Sequence, residues 1–251
     1  SFWSAANTPC VPREMNTGCR PVSSRLGAAR RRLAASVICT PERSSASMRF
    51  GLSVWTLPST GWTLRAFAVE SQARSRYTIA AGIAHKSGLA VIQGLFLFTA
   101  EQEKTHAKQF YRQLHDLSGQ TVRVDGTYPV DLYTDLLDYL RAAQHNEYQE
   151  WEHDYAAFAR TAMEEGFPLV GKLFENIAGV EKLHGERFGR YADLLEQEQL
   201  FVSDVKEAWM CLHCGYVVDA TVAPANCPVC RHPQGYFIRA ELTPFRGGSI
   251  R

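Results

Sequence analysis

Net charge is nearly absent from this chain, and so is any long hydrophobic run. The 251 residues carry a formal charge of +1, which gives nucleic acid or an acidic membrane surface no electrostatic reason to bind. The longest apolar stretch, Leu89 to Phe98, is interrupted by Gln93 and Gly94 and is far too short to span a bilayer. We therefore expect a soluble, intracellular protein with neither partner. Cysteine is missing from the whole stretch between Cys39 and Cys211, although the chain has seven. A disulfide framework would spread its cysteines through a small secreted domain, so their confinement to the ends favours metal thiolates in a reducing compartment. With 45% hydrophobic residues, the chain has enough apolar material for a core and one or two domains.

The first sixty residues lack lysine and have only Glu14 and Glu42 as acids, against ten serines and eight arginines, with Arg30-Arg31-Arg32 in the middle. An Arg/Ser-rich, acid-poor leader of this kind resembles an organellar transit peptide. A disordered tail, or sequence translated upstream of a start such as Met48, accounts for it equally. Residues 1–60 are set aside from the fold, and the compartment is cytoplasmic or, if the leader is a transit peptide, a plastid- or mitochondrion-like organelle.

What the chain does have is a repeat. Gly88, Leu95, Phe96, Ala100, Glu103, Lys104, His106, Phe110 and Arg112 recur 78 residues later as Gly166, Leu173, Phe174, Ala178, Glu181, Lys182, His184, Phe188 and Arg190. Average composition would give roughly one or two such identities in a window of this size, so a helical hairpin has been duplicated. Periodicity predicts a first helix from about Thr63 to Gly88, a second from about Leu89 to Leu117, and a third from about Asp131 to Glu165. Pro168 opens a fourth that runs to about Gln199. A polar stretch containing Asp125-Gly126 serves as the long crossover. Residues 61–200 thus read as an all-α four-helix, ferritin-like bundle.

Both repeats contain Glu-x-x-His, whose i, i+3 spacing sets a carboxylate and an imidazole on one helix face. Measured from the turns at Gly88 and Gly166, Glu70, Glu103, Glu147, Glu150 and Glu181 lie at similar heights, roughly 20 to 28 Å along their helices. With His106 and His184 they make five carboxylates and two imidazoles at one level. Such a layer is intolerable uncompensated, and two iron ions bring four to six positive charges. Oxygen-rich ligation with one imidazole per ion suits iron or manganese, with Glu103 and Glu181 as bridges. Glu150-x-x-His153 repeats the motif but turns His153 off the shared face, because three-residue steps drift by about 60°.

In the last 45 or so residues, Cys211-x-x-Cys214 and Cys227-x-x-Cys230 form two knuckles that make a four-thiolate site. Residues 206–246 read as a small metal-stapled β domain, because so short a segment cannot stabilise itself by burial alone. Ser203 to Glu207 reads as its linker. Thiolates accept iron or zinc; iron would relay single electrons, whereas zinc would not.

From about Trp62 to Phe245 the sequence resembles the rubrerythrin family. The likeness rests on Ala66-Phe67-Ala68-Val69-Glu70-Ser71-Gln72-Ala73-Arg74, on Ala100-Glu101-Gln102-Glu103-Lys104-Thr105-His106-Ala107-Lys108, on Glu181-Lys182-Leu183-His184, and on a rubredoxin-like Cys-x-x-Cys-Gly-Tyr and Cys-Pro-x-Cys behind the bundle. The resemblance implies diiron ligation by Glu70, Glu103, His106, Glu147, Glu150, Glu181 and His184, with an iron that shifts between Glu150 and His106 as redox state changes. It implies a mononuclear iron on Cys211, Cys214, Cys227 and Cys230, and a homodimer in which one tail approaches the other chain's diiron site. It also picks out Tyr77 and Tyr155 as hydrogen-bond and proton donors, against the plainer reading of tyrosines packed in a bundle. Val69 and Asn146 stand where the family usually has glycine, and their bulk would narrow access to the metals.

The activity so implied is reduction of hydrogen peroxide, with Glu150, Tyr77 and Tyr155 as candidate catalytic groups. Electrons would arrive through the tetrathiolate iron from an external donor protein, ultimately NAD(P)H through a reductase. The alternatives are a ferritin-like oxidase that handles iron, and a non-enzymatic zinc-ribbon interaction protein.

Overall fold

The computed structural model describes residues 58–244, so the leader assigned to 1–60 lies almost wholly outside the described residues. Five helices, α1 (Pro58–Lys86), α2 (Ala90–Gln113), α3 (Leu136–Gln149), α4 (Tyr155–Glu164) and α5 (Pro168–Glu196), build the bundle. A π-helical turn over Glu150–Asp154 joins α3 to α4 without a break, so the five helices form four rods. Among the described residues, no helix is long and apolar enough to cross a membrane.

Both hairpin turns close the same way. Gly88 and Gly166 take positive φ, 74° and 85°. The following N–H then reaches back five residues, Leu89 to Ala84 O at 3.0 Å and Phe167 to Ala162 O at 2.8 Å. This helix ending favours glycine, which has no Cβ to resist the left-handed conformation.

The apolar side chains form two clusters. Ala84, Val91 and Ile92 near the first turn pack with Leu136 and Tyr139 from the start of α3, and with Tyr191 and Ala192 from the end of α5. Ala66, Phe110, Ala159, Phe174 and Ile177 form the second cluster. The two turns therefore lie at opposite ends of the bundle. Groups equally distant from their turns meet at one level because that level is near the middle.

Repeat-related aromatics pair across the bundle. Phe96 meets Phe188 at 5.2 Å between ring centroids, and their counterparts Phe174 and Phe110 meet at 4.8 Å. Tyr77 packs on Phe188 at 5.1 Å, and Tyr155 on Phe110 at 5.7 Å. The duplicated hairpins are thus related by an approximate two-fold, which places one apolar cluster on either side of the central level.

Three boundaries differ from expectation, the first being that α1 opens at Pro58 and not near Thr63. The third rod begins at Leu136, not near Asp131, because Asp135 caps it by accepting the Leu137 N–H at 2.8 Å. Asp131 is instead half-buried against Arg76 at 2.6 Å, which ties the crossover to α1. Gln72 donates to Pro129 O at 3.1 Å, and Arg65 meets Asp125 at 3.1 Å, along the same strap. The expected linker Ser203 to Glu207 is part of strand β1 (Val202–Cys211), whose register with β2 (Val217–Val222) shifts between Val202 and Glu207.

With β3 (Phe237–Arg239), the tail forms an antiparallel sheet in the order β2-β1-β3 over a core of Trp209, Cys211, Ala223, Cys227 and Phe237. It docks on the Gly88 end of the bundle. A Cβ on Gly235 would overlap the Gly88 carbonyl oxygen, Ile238 and Leu200 join the nearer apolar cluster, and Arg190 meets Glu241 at 2.6 Å.

Candidate metal centres

Between the two apolar clusters lies a layer of buried acids and imidazoles. Glu70, Glu103, His106 and Glu181 bring one donor atom each within 4.8 Å of one another, and Glu103, Glu147, Glu181 and His184 do the same. Glu103 and Glu181 belong to both groups. His184 Nδ1 stands 2.9 Å from Glu103 and 2.8 Å from Glu181. His106 Nδ1 stands 3.2 Å from Glu103 and 2.9 Å from Glu181. Glu150 is buried at the start of the π-turn but falls in neither four-donor group. His153 lies on the outer surface.

The π-turn explains how the third rod adds Glu150. Tyr77 and Tyr155 are 78 residues apart, as are Gly88 and Gly166, but Glu70 and Glu147 are separated by 77. One extra residue therefore sits between Glu147 and Tyr155, and a π-helical turn is how a helix accommodates it without losing the face on either side. That jump in the repeat offset was the available signal for the turn.

The donor set fits cations better than it fits itself. Glu70 Oε2, Glu103 Oε1, Glu147 Oε2, both Glu181 oxygens and His184 Nδ1 are buried without an aligned hydrogen bond, though several stand within 3 Å of each other. Close approach without a hydrogen bond leaves the lone pairs of these atoms available to a shared cation. Donors at roughly 2.0–2.2 Å from one ion would lie within the observed span of one another. Orphaned buried carboxylates are otherwise costly.

Without cations, protons take their place. Burial raises the Glu70 carboxyl to about 8. Burial also raises Glu147, and, with Glu147 beside it, Glu150 well above the carboxylate range. Burial opposes charge on His106 and His184, yet the surrounding glutamates, Glu103 foremost, outweigh it and raise both. Tyr77 donates to Glu147 and Tyr155 to Glu70. Burial above all, then these carboxylates, keeps both phenols protonated. Each tyrosine thus spans from one hairpin to a carboxylate of the other.

Of Val69 and Asn146, the two departures that the resemblance singled out, Asn146 donates to Asp131 at 3.2 Å and so helps hold the crossover. Val69 lines a cavity of about 700 Å³ beneath the crossover, with Trp62, Tyr155 and Phe158 among its walls.

Sequence reasoning missed Gln102 and Arg187. Gln102 Oε1 stands 3.1 Å from His184 Nε2 and 3.0 Å from Arg187 Nη1. Nothing in the Glu-x-x-His pattern points to them, because they lie outside the repeated identities.

The tail holds the second centre. Cys211 and Cys230 sulfurs lie 3.7 Å apart and those of Cys214 and Cys227 3.5 Å, near the ~3.8 Å separation of tetrahedral ligands with 2.3 Å bonds. Burial pushes the Cys227 thiol up, but the backbone N–H groups of Cys230 and Val229 outweigh it and bring it down to about 6. The other three thiols of the cluster are raised.

Fold and donor sets together define a class: a ferritin-like bundle with a diiron-type carboxylate–histidine site, followed by a rubredoxin-like four-cysteine domain. Family comparison agrees, since the model described as Rubrerythrin matches residues 64–192 and the one for the rubrerythrin rubredoxin-like domain matches 209–238. Rubrerythrin of Clostridium perfringens is 43% identical over 175 residues, covering 69% of this chain and 90% of that protein. Rubrerythrin of Porphyromonas gingivalis is 44% identical over 174 residues, covering 69% and 86%. Among solved structures, partially reduced nigerythrin matches with a TM-score of 0.50 and 25% identity, covering 72% of this chain and 86% of that one. The chain belongs to the rubrerythrin family.

Proposed function

We propose that this protein reduces hydrogen peroxide to water at the bundle site, with electrons relayed through the four-cysteine centre. The observation that carries this reading is the pairing, on one chain, of two cation positions sharing Glu103 and Glu181 with a separate tetrathiolate suited to one-electron transfer. Glu70, Glu103, His106, Glu147, Glu181 and His184, with Glu150 in reserve, are the residues that would hold two irons. A diferrous pair held there would supply two electrons and Lewis acidity.

The chain's own groups handle protons. Reduction of one peroxide takes two electrons and two protons and yields two waters. Glu150, buried beside the layer but with no place in either donor group, is positioned to carry a proton and surrender it there. Tyr77 and Tyr155 hold Glu147 and Glu70 in orientation and keep their hydroxyl protons inside the site. Flanking apolar clusters exclude bulk water on both sides.

The tail docks at the Gly88 end, whereas Glu103 is 15 residues further along α2, about 22 Å at 1.5 Å per residue. This separation supports a homodimer in which each tail serves the other chain's bundle, with an external protein or NAD(P)H-linked reductase as ultimate donor. Stopped-flow mixing tests the activity. Peroxide is expected to oxidise the reduced bundle within seconds and faster than oxygen does; equal or slower oxidation by peroxide would refute it.

A further inference from the structure

The two cation positions have matching donor types, but their histidines are held differently. His184 lies fully buried, with Nε2 3.1 Å from Gln102 Oε1. Arg187 Nη1 approaches the same amide atom at 3.0 Å and Thr99 Oγ1 at 3.4 Å, while its guanidinium lies over the Phe98 ring. A guanidinium only donates. The amide atom facing both Arg187 and His184 is therefore the carbonyl oxygen, and His184 Nε2 must carry a hydrogen. Neutral His184 then has its lone pair on Nδ1, the atom directed at Glu103 and Glu181.

His106 has no equivalent. The repeat places Val180 opposite Gln102 and Gln109 opposite Arg187, so the acceptor is lost and the cation replaced. Among the described residues, His106 makes its polar contacts through Nδ1 and has no hydrogen bond at Nε2, and its ring is slightly exposed. The duplication kept the ligands and altered what stands behind them.

We propose that Gln102 and Arg187 are positioning residues that fix the tautomer and ring orientation of His184 and so make the two metal positions inequivalent, the one at His184 being held by a supported histidine and the one at His106 by an unsupported one. Hydrogen bonds behind a ligating histidine typically contribute 10–100-fold to metal affinity. The proposal rests on the dinuclear reading above.

The test uses the full chain, stripped of metal and titrated with Co²⁺, whose absorption counts ions bound and whose paramagnetism shifts the proton resonances of ligating histidines. The intact protein should take up two ions in the bundle, beyond any held by the cysteines. It should show one shifted histidine N–H resonance that persists in H₂O and vanishes in D₂O. Gln102→Leu should remove that resonance and weaken one bundle ion about 10–100-fold, leaving the other unchanged. Arg187→Met should speed exchange of the same proton, and Arg187→Lys should restore it in part. Equal weakening of both ions, or a persistent resonance in Gln102→Leu, would overturn the proposal. Should Gln102→Leu fail to fold, unaltered proton exchange in Arg187→Met would overturn it instead. Failure of the unaltered protein to bind a pair of ions would overturn the dinuclear reading, and this inference with it.

Discussion

The bundle and the tail each gather metal-binding side chains, but by opposite routes. The four cysteines come from two knuckles within a 20-residue segment, and local hydrogen bonds such as Gly215 N to Cys211 O at 2.8 Å and Arg231 N to Cys227 O at 2.9 Å shape each knuckle. The glutamates and histidines come from four rods whose ligands are separated by up to 114 residues, from Glu70 to His184. They are held in register by the apolar clusters on either side and by contacts between rods such as Tyr77 to Glu147 and Tyr155 to Glu70. A local site tolerates change elsewhere, whereas a site built from every rod depends on the whole core. Sharing deepens the contrast, because Glu103 and Glu181 serve both cation positions.

The largest expected effects separate the two centres. Glu103→Ala should remove a donor from both bundle positions together, so that metal analysis finds both bundle ions lost and peroxide no longer oxidises the reduced protein; the tail should keep its ion. Cys214→Ser should do the reverse. It should block re-reduction by an external donor while a chemically reduced bundle still completes one oxidation by peroxide. A Cys214→Ser protein whose bundle no longer binds iron would show that the two centres are not separable, and the relay assignment would fall.

This contrast also decides what could be read from the sequence. The cysteine knuckles are legible because ligand spacing is itself the structure. The candidate bundle ligands were legible only through the repeat, which turned seven scattered residues into two copies of Glu-x-x-His plus three carboxylates at the same level. The π-turn at Glu150 was visible as a change of offset from 78 to 77, but only once Tyr155 and Glu147 were both matched to their counterparts. Asp131 was assigned to a helix because local propensity does not reveal a buried partner such as Arg76 on a distant rod. Gln102 and Arg187 were invisible for the same reason: their contacts with His184 cross between rods, and no local pattern marks them.

A smaller effect concerns acidity. In the metal-free bundle Glu70 is raised from 4.5 to about 8, and His106 and His184 are raised as well. All three bind protons more tightly folded than unfolded. Their linkage therefore favours the folded state at low pH and is lost as pH climbs, between about 4.5 and 8 for Glu70 and from 6.5 upward for the histidines. The chelated protein should show a Tm that falls from pH 5 to pH 8, by about 2–4 °C for each kcal/mol lost. Metal-loaded protein should show a flatter profile, since cations replace the protons. A chelated protein that grows more stable over this range would mean that the acids are not packed together as described. The tail contributes no comparable carboxylate layer, which ties this signature to the bundle.

The smallest effect asks whether the two regions are mechanically joined. Gly235 sits so close to the Gly88 turn that a Cβ would overlap the backbone carbonyl, and backbone cannot yield as a flexible side chain can. Gly235→Ala should therefore lift the tail from the bundle end, at about 1–3 kcal/mol, the usual range for overpacking. The knuckles lie within the tail and the acid layer some 22 Å down α2, so both centres should bind metal as before. Limited proteolysis between α5 and β1 should become faster, because Leu200 and Ile238 lose their seat in the bundle cluster and Arg190 its partner Glu241. If Gly235→Ala altered metal binding in the bundle, the clusters flanking the acids would be coupled to the docked tail, and the division between a local site and a distributed one would have to include the tail among the supports of the second.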